Sequence, residues 1–596
     1  MTHADSIPLI EQVDTLCDLV AKRIACSGVE RCLWYKHEQQ WVGLTWSEFD
    51  LLLSNMIASL YHAGCRAGDR IGIMAKTSIL WDLCHYAILK LGGVVVGLDP
   101  HDTADNIAHI IRQAQISGVV VDAAPLCARI EPHGAVLSFV LHAEYSGAGG
   151  LRIAGAEASA LEGVHLPQIS AESPATIIFT SGTTGTSKGI VYTHSQVILA
   201  GRAILSRYPE VKAGAHLPCW LPLSNLFQRM LNFAGISVGA KLFYVSNPME
   251  IVQQLPQINP AVLIGVPRFY EKVHEGILQT IARQPWLVRK LFAHCLQVRA
   301  GLSALQHPPD MPTWKVKLAD LLILRKVRAR VFGTRLLFVV SGSAPMPLWL
   351  LHWYQALGVL VLEAYGISEN VVPIACNTLS AYRFGTVGKV IAANSVRVAE
   401  DGELLVSGSG VFQGYIGGGG AEKFTPDGYF KTGDEGRIDS DGFVTLLGRK
   451  ADFFKTSTGK RVSPVELEAA LVQIDAFEHV LVVGEGRKVP IILATLAHGK
   501  GEHISAVETQ ILREKVNTIA QKMLPVGLQP AVVVILRNSF SLADGELTSN
   551  LKLRRKAILE KYTPCIDAAY QRIAANDLSA EQVNLLEDSQ GGIVRL

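Results

Sequence analysis

The sequence has no surplus of either charge: 55 Lys and Arg stand against 53 Asp and Glu, a formal +2 over 596 residues. A protein whose main task is to grip nucleic acid carries a basic excess, so that class is excluded. Its ten cysteines are scattered, with no Cys-x-x-Cys pair. That excludes a disulfide framework or a thiolate zinc site and points to a reducing compartment, the cytoplasm. Internal repeats are missing, and the only low-complexity run is Gly417 to Gly420. Met1 to Ile10 carries Asp5 and lacks a basic start followed by a long apolar run, so no secretory signal is expected. The best candidate for a membrane span, between Arg335 and Glu363, is broken by Gly342, Pro345, Pro347 and Gly358 and reads as strand, loop, helix and strand.

What is present is apolar bulk: 49% of residues are hydrophobic and 18% charged, enough for several domain-sized cores. Short β-branched runs alternate with amphipathic segments of helix length: Arg70 to Met74, Ile79 to Leu91, Val94 to Leu98, Thr103 to Gln115 and Gly118 to Val121. The rhythm returns at Thr176 to Phe179, Val262 to Gly265, Leu336 to Val340 and Val359 to Leu362. It predicts an α/β fold of parallel sheets covered by helices. From Gly385 short strands separated by Gly and Asp turns predict a small antiparallel, barrel-like subdomain over 385–449. After it the pattern predicts a small α+β domain with a helix from Pro464 to Ile474, strands at His479 to Val483 and Ile491 to Leu496, a helix from Ala506 to Met523 and a strand at Ala531 to Leu536. The expected division is a large N-terminal domain, 1–449, hinged to a C-terminal domain, 450–596.

Thr180-Ser181-Gly182-Thr183-Thr184-Gly185-Thr186-Ser187-Lys188-Gly189 follows an apolar strand directly. Glycine-freed backbone N–H groups, hydroxyls and one lysine suit polyphosphate oxygens, although Lys188 precedes Gly189 and the segment is not a P-loop. Leu362 to Asn370 offers an aromatic face for a base in Tyr365, a hydroxyl in Ser368 and a carboxylate in Glu369. Thr432-Gly433-Asp434 sets a carboxylate after a tight turn, suited to a ribose diol, and Gly448-Arg449-Lys450-Ala451-Asp452 closes the domain. Near the C-terminus stands Glu546-Leu547-Thr548-Ser549-Asn550-Leu551-Lys552. Each has an ordinary structural reading when taken singly, and their joint order decides. Gly235-Ile236-Ser237-Val238-Gly239 fits G-x-S-x-G, but a nucleophile elbow needs strand, turn and then helix, whereas a strand-like run follows Gly239.

Taken in order, these motifs resemble the adenylate-forming (AMP-binding, acyl-CoA synthetase) superfamily, and within it the long-chain fatty acyl-CoA synthetases. Leu221-Pro222-Leu223-Ser224, Gly265-Val266-Pro267-Arg268 and Ser341-Gly342-Ser343-Ala344-Pro345 belong to the resemblance, which covers nearly the whole chain. It implies a long-chain fatty acid–CoA ligase, forming acyl-AMP from ATP and a fatty acid and then acyl-CoA, with Mg²⁺ and coenzyme A as partners of the chemistry. By the resemblance, Thr180, Ser181, Gly182, Thr183, Thr184, Gly185 and Lys188 cradle phosphates. Gly342, Ser343, Ala344, Glu363, Ala364, Tyr365 and Gly366 hold adenine, and Ser368 touches the α-phosphate. Glu369 and Thr180 take the metal, Asp434 and Arg449 the ribose. Trp220, Asn225, Gly265 and Val266 line the acid site. Lys552, Glu369 and Lys188 are the implied catalytic residues, Lys552 bridging carboxylate and α-phosphate.

Departures from the family pattern are Asn225 where His is usual, Gln228 for Glu, Ser368 for Thr, Ala451 at the hinge, and Ser549-Asn550 for Pro-Thr. None removes a phosphate or magnesium ligand, so adenylation is expected to be intact and the departures bear on the thioester step and the hinge. Two further readings are an acyl-AMP ligase that loads an acyl carrier protein, and a silent nucleotide- or lipid-binding relative, against which the retention of Lys188, Glu369, Asp434, Arg449 and Lys552 together counts. Basic and aromatic residues from Trp286 to Arg330 suggest peripheral contact with the inner face of a membrane, set against ordinary solvated helices.

Overall fold

The computed structural model describes residues 8–145, 151–153, 164–180, 187–303, 317–318, 320–474, 476–497, 506–525, 528–536, 538–541, 544–547, 553–575 and 592–595. The chain forms two compact units. The first comprises Met1–Arg397, Leu405–Lys431 and Ile438–Val444; the second comprises Val398–Leu404, Thr432–Arg437 and Thr445–Leu596.

In the first unit the expected α/β rhythm builds a seven-stranded sheet in the spatial order Leu151–Ile153, Phe139–Tyr145, Gly118–Val121, Arg70–Met74, Val94–Gly97, Pro174–Thr180, Lys188–Thr193. Its inner strands run parallel and its two edge pairings are antiparallel. Parallel strands lie between helix layers, which is why they are uninterrupted apolar runs such as Val119-Val120-Val121, all fully buried. The helix Ala104–Ala114 covers one face with Ile107, Ile110 and Ile111, an i, i+3, i+4 stripe.

A five-stranded sheet follows: Val262–Gly265, Phe338–Ser341 and Val361–Tyr365 run parallel, then Ala375–Cys376 and Lys389–Val390 pair antiparallel. The uncharged stretch after Arg335 is thus strand, turn, helix Leu348–Leu357 and strand, as its glycines and prolines predict. No helix among the described residues is long and apolar enough to cross a membrane. A third sheet joins His216–Cys219, Lys241–Tyr244, Arg31–His37 and Gln40–Thr45. The β-rich stretch expected from residue 385 contains Ser395–Val398, Glu403–Ser407, Phe430–Ile438 and Val444–Arg449, and the boundary between units runs through it.

The second unit centres on a sheet ordered Phe477–Val483, Ile491–Leu496, Val532–Leu536, Gly592–Arg595. Alternate side chains feed two cores. Val480, Val482, Val533 and Ile535 meet Leu467 and Leu471 of the helix Pro464–Leu471 and Leu512 and Val516 of the helix Ala506–Met523. Leu481, Val483, Val532 and Val534 meet Ile558 and Ala569 of the helix Arg555–Ala574.

Candidate functional site

The carboxyl ends of three neighbouring parallel strands make one wall. Gly265, Ser341 and Glu363 are register partners across Val262–Gly265, Phe338–Ser341 and Val361–Tyr365. Open α/β sheets bind ligands at such ends. Gly342 donates its backbone N–H to Gly265 O at 3.2 Å, and a Cβ on Gly342 would stand 3.4 Å from Phe227. Ser343 has φ +75°, a left-handed conformation rare for a residue with a side chain, and Ser343 and Ala344 are exposed. Tyr365 is buried, with Gly366 and Ser368 exposed beside it. The predicted adenine residues are therefore contiguous.

Glu363 is 5% exposed, and its Oε1 accepts the Met346 N–H at 3.0 Å, tying the Ser341–Pro347 turn to the next strand. Its Oε2 and the neighbouring Ser341 hydroxyl are buried without a hydrogen-bond partner among the described residues. Burial pushes the Glu363 carboxyl up to about 7, against the pull of the Met346 N–H.

Trp220 is brought to the same wall: its indole N–H donates to Ile264 O at 2.8 Å and its ring lies 4.8 Å from Phe269. Gln228 Oε1 accepts the N–H groups of Trp220 and Leu221 at 3.3 and 3.2 Å. An amide does this where a carboxylate is usual, and its Nε2 also donates to Asn232 at 3.1 Å. Asn225 precedes the helix Leu226–Val238 in extended conformation and caps no backbone N–H with its side chain. Arg229, 1% exposed, holds this loop: it donates to Ser224 O and Asn225 O at 3.4 Å each and to the Thr176 hydroxyl at 2.8 Å. Thr176 lies on the strand that leads into the predicted phosphate loop. The helix Leu226–Val238 also disposes of the G-x-S-x-G segment, since Ser237 sits within it, buried, accepting the Ile10 N–H at 2.9 Å.

Thr180 and Lys188 are cross-strand partners at the end of the antiparallel pair Pro174–Thr180 and Lys188–Thr193. Ser181, Gly182, Thr183, Thr184 and Gly185 between them lie outside the described residues. Beyond the loop, Ser187 donates from its hydroxyl to Asn106 Oδ1 at 2.6 Å, and its carbonyl lies 2.8 Å from His109 Nε2. The Tyr192 hydroxyl donates to Ser368 O at 2.5 Å, which draws the Ser368-Glu369 segment to the strand that starts at Lys188.

Tyr415 completes that approach. Ile416 N–H donates to Gly189 O and Phe412 N–H to Glu369 O, both at 2.9 Å. The Tyr415 hydroxyl donates to Glu369 Oε1 at 2.7 Å, and the Lys188 ammonium lies 5.0 Å from its ring centroid. Among the described residues no cluster of three His, Cys, Asp or Glu could cage a metal. Glu369, beside the strand predicted to bind phosphate, fits a magnesium ion carried in on a polyphosphate, because Mg²⁺ is held by one or two carboxylates plus phosphate and water oxygens.

In the second unit Asp434 and Arg449 form an ion pair, Nε to Oδ1 3.0 Å, and Arg449 also donates to Thr432 O at 3.1 Å. Lys552 lies outside the described residues. Sequence reasoning missed Tyr415, Arg229 and Lys423, whose ammonium donates to the Tyr415 hydroxyl at 3.2 Å. For Arg229 a signal existed: Gln228, Arg229 and Asn232 interrupt the apolar face of an otherwise hydrophobic helix.

The model of the family described as AMP-binding enzyme matches residues 21–416, and that of the AMP-binding enzyme C-terminal domain matches 451–574. The chain is 30% identical over 561 residues to the long-chain-fatty-acid–CoA ligase FadD15 of Mycobacterium bovis, across 89% of this chain and 93% of the relative. It is 25% identical to the long-chain-fatty-acid–CoA ligase ACSBG1 of Bos taurus, across 90% of this chain and 82% of that one. In fold it resembles the adenylation domain of a carboxylate reductase from Mycobacterium chelonae, with TM-score 0.71, 19% identity and coverage of 96% and 92%. ATP-bound MatB from Rhodopseudomonas palustris follows at TM-score 0.68 and 20% identity, covering 92% of this chain and 99% of its own.

Proposed function

The chain belongs to the AMP-binding enzyme family, and from that membership we propose that it is a long-chain fatty acid–CoA ligase. The fatty carboxylate oxygen attacks the α-phosphorus of ATP, the bond to the bridging oxygen breaks, and pyrophosphate leaves. The thiol of coenzyme A then loses its proton as its sulfur attacks the acyl carbon, and AMP departs. The observation that carries the reading is the register row Gly265, Ser341, Glu363 beside the group of Lys188, Ser368 and Glu369.

In this reading Gly342, Ser343, Ala344, Glu363, Ala364, Tyr365 and Gly366 take adenine. Thr180 to Gly185 and Lys188 take the phosphates, Ser368 the α-phosphate, and Asp434 with Arg449 the ribose. Glu369 and Thr180 would hold the magnesium ion, which would neutralise phosphate charge. Trp220, Asn225, Gly265 and Val266 line the acid. Asn225 orients the carboxylate by hydrogen bonding alone, since an amide neither titrates nor carries charge. The segment 450–596 is the moving domain, which delivers Lys552 for adenylation and withdraws it for thioester formation. One ammonium at the developing phosphorane is worth roughly 3 to 4 kcal/mol, about 10² to 10³ in rate.

Two measurements test this. Lys552→Ala should abolish pyrophosphate formation yet still convert supplied acyl-AMP to acyl-CoA; equal loss of both overturns the role. A carboxylic acid panel in an AMP-release assay, with and without coenzyme A, tests the acceptor. Pyrophosphate formed without AMP release in the presence of coenzyme A would shift the acceptor to an acyl carrier protein.

Contact with an anionic lipid surface on the cytoplasmic side has its own support. The helix Trp286–Ser303 exposes Trp286 (61%), Leu287 (62%) and Leu291 (37%) next to exposed Arg289 and Lys290. Apolar anchors flanked by cations suit a headgroup layer. Flotation with phosphatidylglycerol vesicles, but not with phosphatidylcholine vesicles, should be lost in Trp286→Ser/Leu287→Ser; unchanged flotation refutes the contact.

A further inference from the structure

Tyr415 gathers three charged side chains, Glu369, Lys188 and Lys423. Its hydroxyl donates to Glu369 Oε1 at 2.7 Å and accepts from Lys423 Nζ at 3.2 Å. The ammonium groups of Lys188 and Lys423 lie 5.0 and 5.5 Å from its ring centroid. Glu422, next in chain to Lys423, accepts the Gly420 N–H at 2.9 Å. Its carboxyl is held low by its own and the Gly420 backbone N–H groups, with Lys188 and Lys423 adding to the effect.

This arrangement is fixed by backbone. Tyr415 forms a bridge with Ile190, two residues beyond Lys188, and Val411 forms one with Asn370, the neighbour of Glu369. The stretch 411–416 therefore runs as a strap from the carboxylate to the first lysine. The glycine run Gly417 to Gly420 then turns the chain back, and the short helix Ala421–Lys423 delivers the second lysine. Two ammonium groups face two carboxylates here, so the group is locally neutral before any ligand arrives. A tyrosine accepting from one lysine while donating to a carboxylate keeps the ammonium from collapsing onto that carboxylate, which leaves both available.

We propose that Lys423 is a second cation for the terminal phosphates of the nucleotide, and that Tyr415 is a positioning residue spacing it from Lys188 and Glu369. The ligand class is a polyphosphate: the β- and γ-phosphates of ATP, or pyrophosphate as product. The inference rests on the adenylation reading, and the loop 181–186 has no part in it.

Titration calorimetry on the full chain with magnesium pyrophosphate, ATP and AMP tests it. Lys423→Met should weaken pyrophosphate at least tenfold, or 1.4 kcal/mol. ATP should weaken comparably, and AMP, which lacks the terminal phosphates, by less than twofold. In ATP–pyrophosphate exchange the KM for pyrophosphate should rise more than kcat falls. Lys423→Arg should restore binding to within about threefold, since it returns the charge. Tyr415→Phe keeps the ring and loses the hydroxyl. In that background Lys423→Met should cost less than in the wild type, as coupled residues do.

Pyrophosphate affinity within twofold of wild type for Lys423→Met overturns the proposal, as does equal weakening of ATP and AMP, which marks a structural role. Should Lys423→Met not fold, Lys423→Gln carries the same comparison. Additivity of the two substitutions overturns the role of Tyr415 alone. A wild type with no exchange activity overturns the proposed function and this site with it, whereas an active wild type matched by Lys423→Met overturns only the site.

Discussion

Glu363→Gln replaces a titratable carboxyl by a neutral amide, with almost no change of volume, at the centre of the proposed adenine wall. The wild-type carboxyl is 5% exposed and, with a single backbone N–H to stabilise its charge, rises from an ordinary 4.5 to about 7. A raised carboxyl favours the folded state in its neutral form. The stabilisation is fully present below pH 4.5, is lost as pH climbs through 7, and stays lost above that. At 1.36 kcal/mol per unit, the loss between pH 4.5 and 8 amounts to about 3 kcal/mol. Glutamine keeps an acceptor for the Met346 N–H and does not titrate. Any cost of its extra N–H donors is the same at every pH. The difference in Tm between Glu363→Gln and wild type, read by scanning fluorimetry, should therefore grow in favour of the variant from pH 5 to pH 8. At about 2.1 cal/mol/K per residue, a chain of 596 residues unfolds with roughly 1.25 kcal/mol/K of entropy, so the growth should be about 2 °C. Parallel Tm curves would show that Glu363 does not titrate in this window, and the reasoning from burial would fail.

Three further outcomes follow from contacts described above or adjoining them. A Cβ on Gly97 would stand 2.6 Å from the backbone of Ser224, so Gly97→Ala should push the Ser224-Asn225 loop outward. It should cost about 1 to 3 kcal/mol in melting and raise KM for the fatty acid but not for ATP. Arg229→Met removes the donor to Thr176, Ser224 and Asn225 from a dry interior. A loss of about 3 kcal/mol is expected in urea unfolding, with Arg229→Lys recovering only part, because one ammonium cannot reach three acceptors held by a planar fork. Asp434→Asn dissolves the ion pair with Arg449 and the charged acceptor proposed for the ribose. KM for ATP should rise roughly tenfold at nearly unchanged Tm, since Arg449 is largely exposed and such pairs add little stability.

Elements with a strong local signature were legible in the sequence. The strand Gly118–Val121 has the predicted bounds, as do Val262–Gly265, Ile491–Leu496 and the helix Ala506–Met523. Each is an apolar run or amphipathic period bounded by a turn residue. The hairpin of Arg31–His37 and Gln40–Thr45 was not legible, because its turn uses Glu38 and Gln39 at φ +45° and +67° rather than the glycine or asparagine that announces such turns. The strand Gly592–Arg595 was missed for another reason: it forms only by pairing with Val532–Leu536, a partner far away in sequence. The site divides in the same way. Glu363, Tyr365 and Glu369 sit in one contiguous motif and could be read as a group. Tyr415 and Lys423 reach Lys188 and Glu369 only through bridges spanning long sequence separations. No local pattern records such bridges.

The turn Gly417 to Gly420 has four successive φ values of +84°, +95°, +90° and +98°. At Gly417, Gly418 and Gly419 an added Cβ would meet nothing within 4 Å. Space is plentiful there, so chirality alone opposes a side chain. The ammonium of Lys423 is thus aimed by a stretch whose backbone has the opposite hand to the rest of the chain, built from the one amino acid that has no hand. Among encoded residues glycine alone takes all four torsions of that stretch without a steric cost. Chemical synthesis, which can place a D-residue where these torsions are the natural minimum, could stiffen it.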